Sequence, residues 1–309
     1  MSTNVNWSDP YENREGRWLR GNLHAHTSPA SECASVSKER AIELYTEAGY
    51  DFLAITDHMA VTSFDAPGLT RIPAIEWNAS DRTADHTCIY ALDEDLLRLA
   101  LEFTDHDRLL QRLSTEDVLV VLNHPNWSLA GHYSCKELAE KPSFDGVEIY
   151  NNIITILPGC ALATDKWEYL LATGRRVLGF ASDDSHHEEG VGGAWVCVRS
   201  ASPSPADILA AVRRGNFYCS TGVVVTDVRR SDNVMEIETE NAQEIHVVGN
   251  GGELLKRVTG NSATITIPDD LPAHIPSTAY VRFAAYGPGA ATAWTQPFFC
   301  DGEDDPGDR

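Results

Sequence analysis

Short apolar runs alternate with longer amphipathic segments through the first two-thirds of the chain. Residues 50–56, 118–122, 147–150 and 177–181 form such runs, and each is bounded by polar residues. Runs of this length and composition predict strands that are buried on both faces.

The segments between these runs predict helices. Ser37 can cap a helix whose apolar residues recur on one face, and Gly49 can end it. Residues 95–113 and 164–173 predict two more helices, and residues 204–215 predict a fourth that begins with a Ser-Pro pair. Alternating strands and helices predict an α/β fold with a mainly parallel sheet or barrel.

The pattern changes after residue 222. Residues 235–238 and 264–267 alternate polar and apolar side chains with period two, which is typical of half-buried antiparallel strands. We expect residues 1–222 to form one domain and residues 223–300 a small antiparallel β-sandwich-like domain. The acidic tail, residues 301–309, is expected to be disordered.

The net charge of the chain limits the classes of partner that it is expected to bind. The 309 residues include 24 Lys and Arg against 46 Asp and Glu, a net charge of −22. Nucleic acids and anionic membranes require a basic surface, so we expect neither as a partner and instead expect a small-molecule substrate. The oligomeric state is left open.

The cysteines and the hydropathy pattern point to a cytoplasmic protein. The seven cysteines are scattered and form no Cys-x-x-Cys pair, which favours free thiols in a reducing compartment. The N-terminal residues are polar, and no apolar run approaches the ~20 residues that span a bilayer.

The candidate chemistry follows the apolar runs. The side chains at these positions are imidazoles and carboxylates: His24, His26, Asp57, His58, Glu76, His124, Asp183, Asp184 and His186. In a parallel barrel the carboxyl ends of all strands meet at one rim, so these groups are expected to converge. Imidazole with carboxylate and no thiolate favours zinc, manganese, iron or cobalt. Two such ions can hold a hydroxide at neutral pH and stabilise a phosphoryl or acyl oxygen.

These residues resemble the PHP superfamily, the polymerase and histidinol phosphatase metallohydrolases. The matching segments are Asn22-Leu23-His24-Ala25-His26-Thr27, Ala54-Ile55-Thr56-Asp57-His58, Pro73-Ala74-Ile75-Glu76, His86, Asn123-His124-Pro125, Val147-Glu148-Ile149-Tyr150-Asn151 and Ser182-Asp183-Asp184-Ser185-His186. Residues 215–222, 280–282 and 293–294 further resemble the branch that includes the CehA/McbA-type carbaryl hydrolases, which also ends in a small β domain.

The resemblance implies a distorted (β/α)7 barrel that binds two or three divalent ions, with manganese, zinc or iron as the candidates. The ligands that it implies for a first ion are His24, His26, Glu76 and Asp184, with Asp183 as the alternative to Asp184. The ligands implied for a second ion are Glu76, His86 and His124. A third ion would be held by His58, His186 and Glu32, the residue six positions after the His-x-His pair.

Other residues are expected to support the reaction. Asp57, His58 and His186 are candidates for proton transfer. Trp77, Trp127 and Asn151 are candidates for contact with the substrate, although core packing explains the tryptophans equally well.

Together these features predict a metal-dependent hydrolase of small phosphoesters. The alternative substrate class is a carbamate or carboxylic ester, as in the carbaryl hydrolases. A non-catalytic metal-binding protein is a lower alternative, and a nuclease for long DNA is opposed by the charge.

Overall fold

The structure is a computed structural model that describes residues 6–78, 85–127 and 133–301. Its helices are α1 (Lys38–Glu47), α2 (Glu94–Ala100), α3 (His106–Leu113), α4 (Cys135–Glu140), α5 (Thr164–Ala172) and α6 (Pro205–Arg213). Its strands are β1 (Asn6–Trp7), β2 (Arg17–Asn22), β3 (Phe52–Leu53), β4 (Thr70–Arg71), β5 (Ala74–Trp77), β6 (Thr87–Tyr90), β7 (Leu119–Leu122), β8 (Gly146–Asn151), β9 (Leu178–Ser182), β10 (Trp195–Ser200), β11 (Phe217–Ser220), β12 (Val225–Ser231), β13 (Val234–Thr239), β14 (Glu244–Gly249), β15 (Glu253–Thr259), β16 (Ser262–Thr266), β17 (Tyr280–Tyr286), β18 (Thr292–Thr295) and β19 (Phe298–Asp301).

The chain divides into two compact units. One unit, here called the α/β unit, is Glu15–Arg213, and the other, the β unit, joins Met1–Arg14 to Arg214–Arg309. The domain boundaries expected from the sequence stay predictions. Residues 302–309 of the expected disordered tail lie outside the described residues.

The α/β unit contains two strand layers. In one, β5, β6, β7, β8 and β9 lie side by side, and in the other β10, β2, β3 and β4 do so. The pairs β2–β3, β3–β4, β7–β8 and β8–β9 are parallel, as the strand–helix alternation predicts.

The predicted mainly parallel arrangement is interrupted at β6, which is antiparallel to both β5 and β7, and at β10, which is antiparallel to β2. Trp77 ends β5 and Thr87 begins β6, so the connection is shorter than the dozen or so residues of a parallel crossover. The fold is therefore mixed α/β, and the (β/α)7 barrel is left as a prediction.

Isolated bridges link the two layers beyond the strand ends. Ala25 pairs with Ser185 and His58 pairs with Glu76, both in parallel orientation. Each bridge joins a segment that follows one strand of the β2–β3 pair to the other layer. The segments that carry these predicted ligands are therefore hydrogen-bonded to one another.

Helix α1 packs as its pattern predicts. The Ser37 side chain accepts a hydrogen bond from the Arg40 backbone N–H, and Gly49 follows the helix at a φ of +76°. Tyr45 on its buried face packs with Ala25 and Ile55 in one hydrophobic cluster.

The predicted helix over residues 95–113 is observed as two, α2 and α3. The Asp105 side chain accepts from the backbone N–H of Arg108 and caps α3 as a new helix. Asp is more stable at a cap than in a helix interior, so the break follows from a capping signal inside the amphipathic run.

The β unit is antiparallel at every pairing among its described strands. Strands β12, β13 and β16 form one sheet, and β14 pairs with both β15 and β17 in another. The alternation in β13 buries Met235 and Ile237 on one face, as the period-two pattern predicts. In neither unit is a described helix long and apolar enough to cross a membrane.

Candidate metal centre

Three overlapping groups of ligand atoms converge in the α/β unit. Within each group the nitrogen and oxygen atoms lie within 4.8 Å of one another. The groups are His24 with His26 and Glu76, then His58 with Glu76 and His86, and finally His26 with His58 and His186. The convergence follows from strand ends that meet, because each of these residues lies at or just beyond the end of a strand or bridge.

His24 and His26 present their rings side by side because alternate residues of an extended segment share a face. Ala25 between them packs in the cluster with Tyr45, so the two imidazoles point to the opposite side. Their Nε2 atoms are 3.1 Å apart, and both side chains are buried. Two ring nitrogens at this separation can bind one ion together.

Glu76 lies at the middle of the cluster. Its Oε2 is 2.9 Å from Nδ1 of His58 and 3.2 Å from Nε2 of His26. Its Oε1 is 3.1 Å from Nδ1 of His86 and 3.5 Å from Nε2 of His124. A carboxylate whose two oxygens face different imidazoles has the geometry of a bridge between two ions.

The two neighbouring aspartates have different surroundings. Oδ1 of Asp184 is 3.2 Å from Nε2 of His24 and 3.1 Å from Nε2 of His26. Asp183 points elsewhere and accepts from the backbone N–H groups of residues 192–194 and from the Tyr45 hydroxyl. The structure therefore brings Asp184, and not Asp183, to the cluster.

Two candidate ligands have unusual backbones. His124 has a φ of +27° and Asp184 a φ of +50°, in the region that residues with a Cβ rarely adopt. Such conformations persist only where surrounding contacts hold them, and they are concentrated at functional sites.

The observed group around His58 and His186 contains His26 and not Glu32, the residue predicted for a third ion. His58 and His186 lie together as predicted, with His26 as the third member. The Glu32 side chain is exposed to solvent and joins none of the ligand groups of the described residues. Its neighbour Cys33 lines the cavity beside His58 instead, which a count of positions in a loop does not predict.

The carboxylates and imidazoles of the cluster shift one another's pKa values. Burial raises the pKa of Glu76, but His58, His24 and His86 outweigh it and hold that pKa well below its usual range. Burial likewise raises the pKa of Asp184, and His24, His26 and His186 bring it well below normal. Burial lowers the pKa of His58, yet mainly Glu76 raises it to about 9.

These residues fit a metal ion. Oε2 of Glu76 and Oδ1 of Asp184 are buried, and neither makes a hydrogen bond of normal geometry with the described residues. Nε2 of His24 and Nε2 of His26 are 3.1 Å apart, and each lies 3.1 to 3.4 Å from an oxygen of Glu76 and from Oδ1 of Asp184. Two ligands at about 2.0–2.1 Å from a tetrahedral ion would be separated by about 3.3 Å.

Buried carboxylates hold the imidazoles in place. Nδ1–H of His24 donates to Oε1 of Glu148 at 2.8 Å, which leaves Nε2 of the ring for the cluster. Glu148 also accepts from the His124 backbone N–H, the Asn151 amide and the Ser182 hydroxyl.

Asp57 acts on His26 in a similar way. The Ser31 hydroxyl donates to Asp57 at 2.8 Å and lies 3.2 Å from Nδ1 of His26. Thr27 donates to the same carboxylate through its backbone N–H and its hydroxyl. Asp57 is fully buried and does not line the cavity, so it is placed to position a ligand rather than to contact a substrate.

A cavity of about 330 Å³ opens onto the cluster. Its polar lining comes from Cys33, His58, Glu76, His86, His124, Asp184, His186 and His187. The rest of its lining is apolar and consists of Trp127, Ile153, Ile154, Ile156 and Leu157. This size lies at the lower end of the range for small-molecule sites.

The three predicted substrate contacts are placed differently. Trp127 lines the cavity, whereas Trp77 is fully buried and stacks on His106 with ring centroids 5.2 Å apart. Trp77 follows Glu76 on β5, and neighbours on a strand face opposite sides. Asn151 is buried and donates to Glu148 and Asp184, so it braces two carboxylates.

Comparison with known proteins supplies a likeness of fold. No protein-family model and no curated protein sequence matches the chain. A two-domain protein from Bacteroides vulgatus that contains a predicted PHP-like metal-dependent phosphoesterase superposes with a TM-score of 0.52 at 13% identity, over 97% of this chain and 90% of that one. At this identity the likeness shows a shared fold.

Two further solved structures are similar over part of the chain. PsfC from Pseudomonas syringae is 16% identical over 62% of this chain and 87% of its own, with a TM-score of 0.45. The lesion-specific endonuclease PfuEndoQ from Pyrococcus furiosus is 13% identical over 64% of this chain and 56% of its own, with a TM-score of 0.47.

Proposed function

We propose that the chain is a metal-dependent hydrolase of the PHP type that cleaves a small phosphoester. The observation that carries the proposal is the buried cluster in which both oxygens of Glu76 face imidazoles of several strand ends. The sequence motifs and the likeness of fold to a PHP-like protein support it. The strands joined by the two isolated bridges would form the distorted (β/α)7 barrel of that family.

The residues present divide among two or three ions of manganese, zinc or iron. His24, His26, Glu76 and Asp184 would hold one ion. The second would be held by Glu76, His86 and His124, and the third by His58 and His186, which lie beside His26. The ions would polarise the scissile group and activate water.

The residues of the chain provide position and proton transfer. His186 lines the cavity, and its Nδ1 lies 2.8 Å from the backbone carbonyl oxygen of Asp184, which fixes the ring. In a state with two ions, in which the third site is not filled, His186 and His58 would carry a proton to the leaving group, because both line the cavity. Glu148 and Asp57 keep His24 and His26 in the ligand orientation.

The proposal is tested with protein purified without added metal, analysed for its metal content and then loaded with manganese or zinc. A matched panel of 4-nitrophenyl phosphate, bis(4-nitrophenyl) phosphate, 4-nitrophenyl acetate and a 4-nitrophenyl carbamate separates the substrate classes. We expect the phosphomonoester to be cleaved and Glu76→Gln to lose both metal and turnover. Metal binding without turnover of any substrate would instead identify a metal-binding protein.

A carbamate or carboxylic ester is the second candidate substrate. The observation that favours it is the lining of the cavity, in which none of the described residues is Lys or Arg. A neutral ester needs no cationic side chain, whereas a phosphate must be neutralised by the ions alone. Turnover of the carbamate without the phosphates would select this candidate.

A further inference from the structure

Five apolar side chains form part of the cavity lining and are here called the apolar wall; one of them, Trp127, also packs against the rings of His86 and His124. The wall consists of Ile153, Ile154, Ile156, Leu157 and Trp127. Ile156 is 72% exposed, the largest value for any large apolar side chain in the described ranges. An exposed apolar surface that adjoins a reactive centre is typical of a binding site, because burial by a ligand is favourable.

The wall is held at both ends. A single turn of 3-10 helix, Asn152–Thr155, follows directly on β8. The Asn152 amide donates to the Gly190 carbonyl oxygen, and Trp127 pairs with Gly159 in an isolated antiparallel bridge. The Asn151 backbone N–H donates to the carbonyl oxygen of Ala161 and closes the loop at its base. A segment tied in this way presents a fixed surface.

The cavity lining has a part with titratable side chains and a part without charged side chains. Its carboxylates and imidazoles all belong to the ligand side or adjoin it, and the described wall has no charged side chain. A substrate with a second phosphate or a polynucleotide backbone would place its extra charge against isoleucine and leucine. Desolvation of a charge without a partner is costly, so such substrates are disfavoured.

We propose that the wall binds an uncharged hydrocarbon group of the substrate and so selects for alkyl or aryl esters over nucleotides and sugar phosphates. The inference rests on the proposed function for the identity of the reactive centre. It adds the substituent that the substrate carries next to the scissile bond. The small cavity limits that group to a short chain or a single ring system.

The test uses ligands that bind without turnover. Methyl-, butyl-, hexyl- and phenylphosphonate are titrated into the manganese-loaded protein by calorimetry. We expect the affinity to rise about twofold to fourfold for each methylene from methyl to hexyl, because each buried methylene is favourable. Equal affinities across the series, or binding of none, would overturn the inference.

A variant separates the wall from the metal centre. Ile156→Ser should lower the affinity for hexylphosphonate about tenfold and leave methylphosphonate within about twofold. Ile156 is exposed, so this change is compatible with folding. Leu92→Ser is the matched control, since Leu92 is also exposed but lies outside the cavity lining. Loss of both ligands alike in Ile156→Ser would contradict a role for the wall.

The outcome is distinguishable from that of the proposed function. Failure of every substrate in the panel, with manganese bound, would end the proposed hydrolase, while phosphonate affinity would still report on the wall. Turnover of glycerol phosphate or a nucleoside monophosphate in preference to hexyl phosphate would overturn the wall and keep the hydrolase.

Discussion

Glu148 shows how a buried carboxylate away from the cavity can control the cluster. All four of its partners donate to it: the His24 ring, the His124 backbone, the Asn151 amide and the Ser182 hydroxyl. A side chain that is surrounded by donors must be an acceptor at both oxygens. Its environment therefore requires an ionised carboxylate, and its pKa is lowered because His24 and His124 outweigh the effect of burial.

Glu148→Gln should weaken metal binding about 10-fold to 100-fold, the usual effect of removing a partner that orients a ligand. The amide NH2 would face a donor and loosen His24. Metal affinity measured by competition with a chelator checks this. Glu32→Gln is the matched control, because Glu32 is exposed and outside the ligand groups, and it should change the affinity less than about twofold. If Glu32→Gln weakened metal binding about 10-fold to 100-fold, as expected for Glu148→Gln, Glu32 would be a ligand after all.

Cys33 makes the cavity open to chemical modification. It is exposed and lines the cavity, whereas Cys160 is exposed but lies outside the lining. Treatment with N-ethylmaleimide should reduce turnover at least tenfold, because the adduct fills a cavity of about 330 Å³. Cys33→Ser should remain active after treatment and Cys160→Ser should be inactivated like the parent. Inactivation of Cys33→Ser at the parent rate would place the sensitive thiol elsewhere.

At the scale of elements, α1 is fixed to the strand ends by one side chain. The Tyr45 hydroxyl donates to Asp183 at 3.0 Å, accepts from the Asn22 amide at 2.8 Å and lies 3.0 Å from the Ser185 hydroxyl. Asn22 ends β2 and Ser185 forms the bridge with Ala25. One phenol thus connects a helix to the two segments that carry His24 and Asp184.

Tyr45→Phe should lower the free energy of unfolding by about 1–3 kcal/mol, because buried polar groups lose a partner while the ring still fills its space. Denaturant unfolding measures this. Thr46→Val is a control on the exposed side of the same helix, where the hydroxyl bonds only to its own helix at the Ile42 carbonyl oxygen. A Tyr45→Phe protein as stable as the parent would show that this contact contributes nothing.

The ends of strands were the predictable part of the site. His24, His26, Glu76 and Asp184 could be placed from sequence because carboxyl ends of neighbouring strands gather whatever the loops do. The burial of Trp77 follows from the same rule, because Trp77 is next to Glu76 on β5 and neighbouring side chains on a strand face opposite sides.

Loops and short elements were the unpredictable part. A count of six positions from His26 selects Glu32, yet the loop turns Cys33 and not Glu32 to the cavity. Strand β6 has only four residues, and Asp105 is a single capping residue inside a helical run. Signals this short are outweighed by the longer patterns around them, which predict parallel strands and one continuous helix. Most of the apolar wall is the sequence Ile153-Ile154-Thr155-Ile156-Leu157. This apolar run comes just after the strand run that ends at Tyr150, so the sequence pattern does not mark it as a separate element.

For the whole molecule, the net charge of −22 has a local exception in the cluster. Glu76 and Asp184 face imidazoles, so part of the negative charge is neutralised inside the α/β unit. Bound cations would make this region positive in an otherwise acidic protein. We therefore propose that the centre takes one small anionic or polarised group and that long polyanions are disfavoured.

The same balance predicts how metal binding depends on pH. In the metal-free protein, Glu76 raises the pKa of His58 to about 9 against the effect of burial. His24 is raised well above its usual range in the same way, mainly by Asp184. Both shifts favour protonated imidazoles at pH 7, and the lowered pKa values of Glu76 and Asp184 favour ionised carboxylates. A metal ion can bind only the neutral rings, so protons must leave as it enters.

We expect manganese or zinc binding at pH 7 to release about one to two protons, and the apparent affinity to rise by up to about tenfold per pH unit for each proton released. For His58 the rise continues until the pH passes about 9 and then ends, because the ring is neutral there without the metal. Calorimetry in two buffers with different ionisation enthalpies counts the protons. His246→Gln, in the β unit, serves as the control and should leave the count unchanged, since His246 is paired with Glu244 far along the chain from the ligands. Binding that releases no proton at pH 7 would show that the imidazoles are neutral before the ion arrives, and that the carboxylates do not hold them charged.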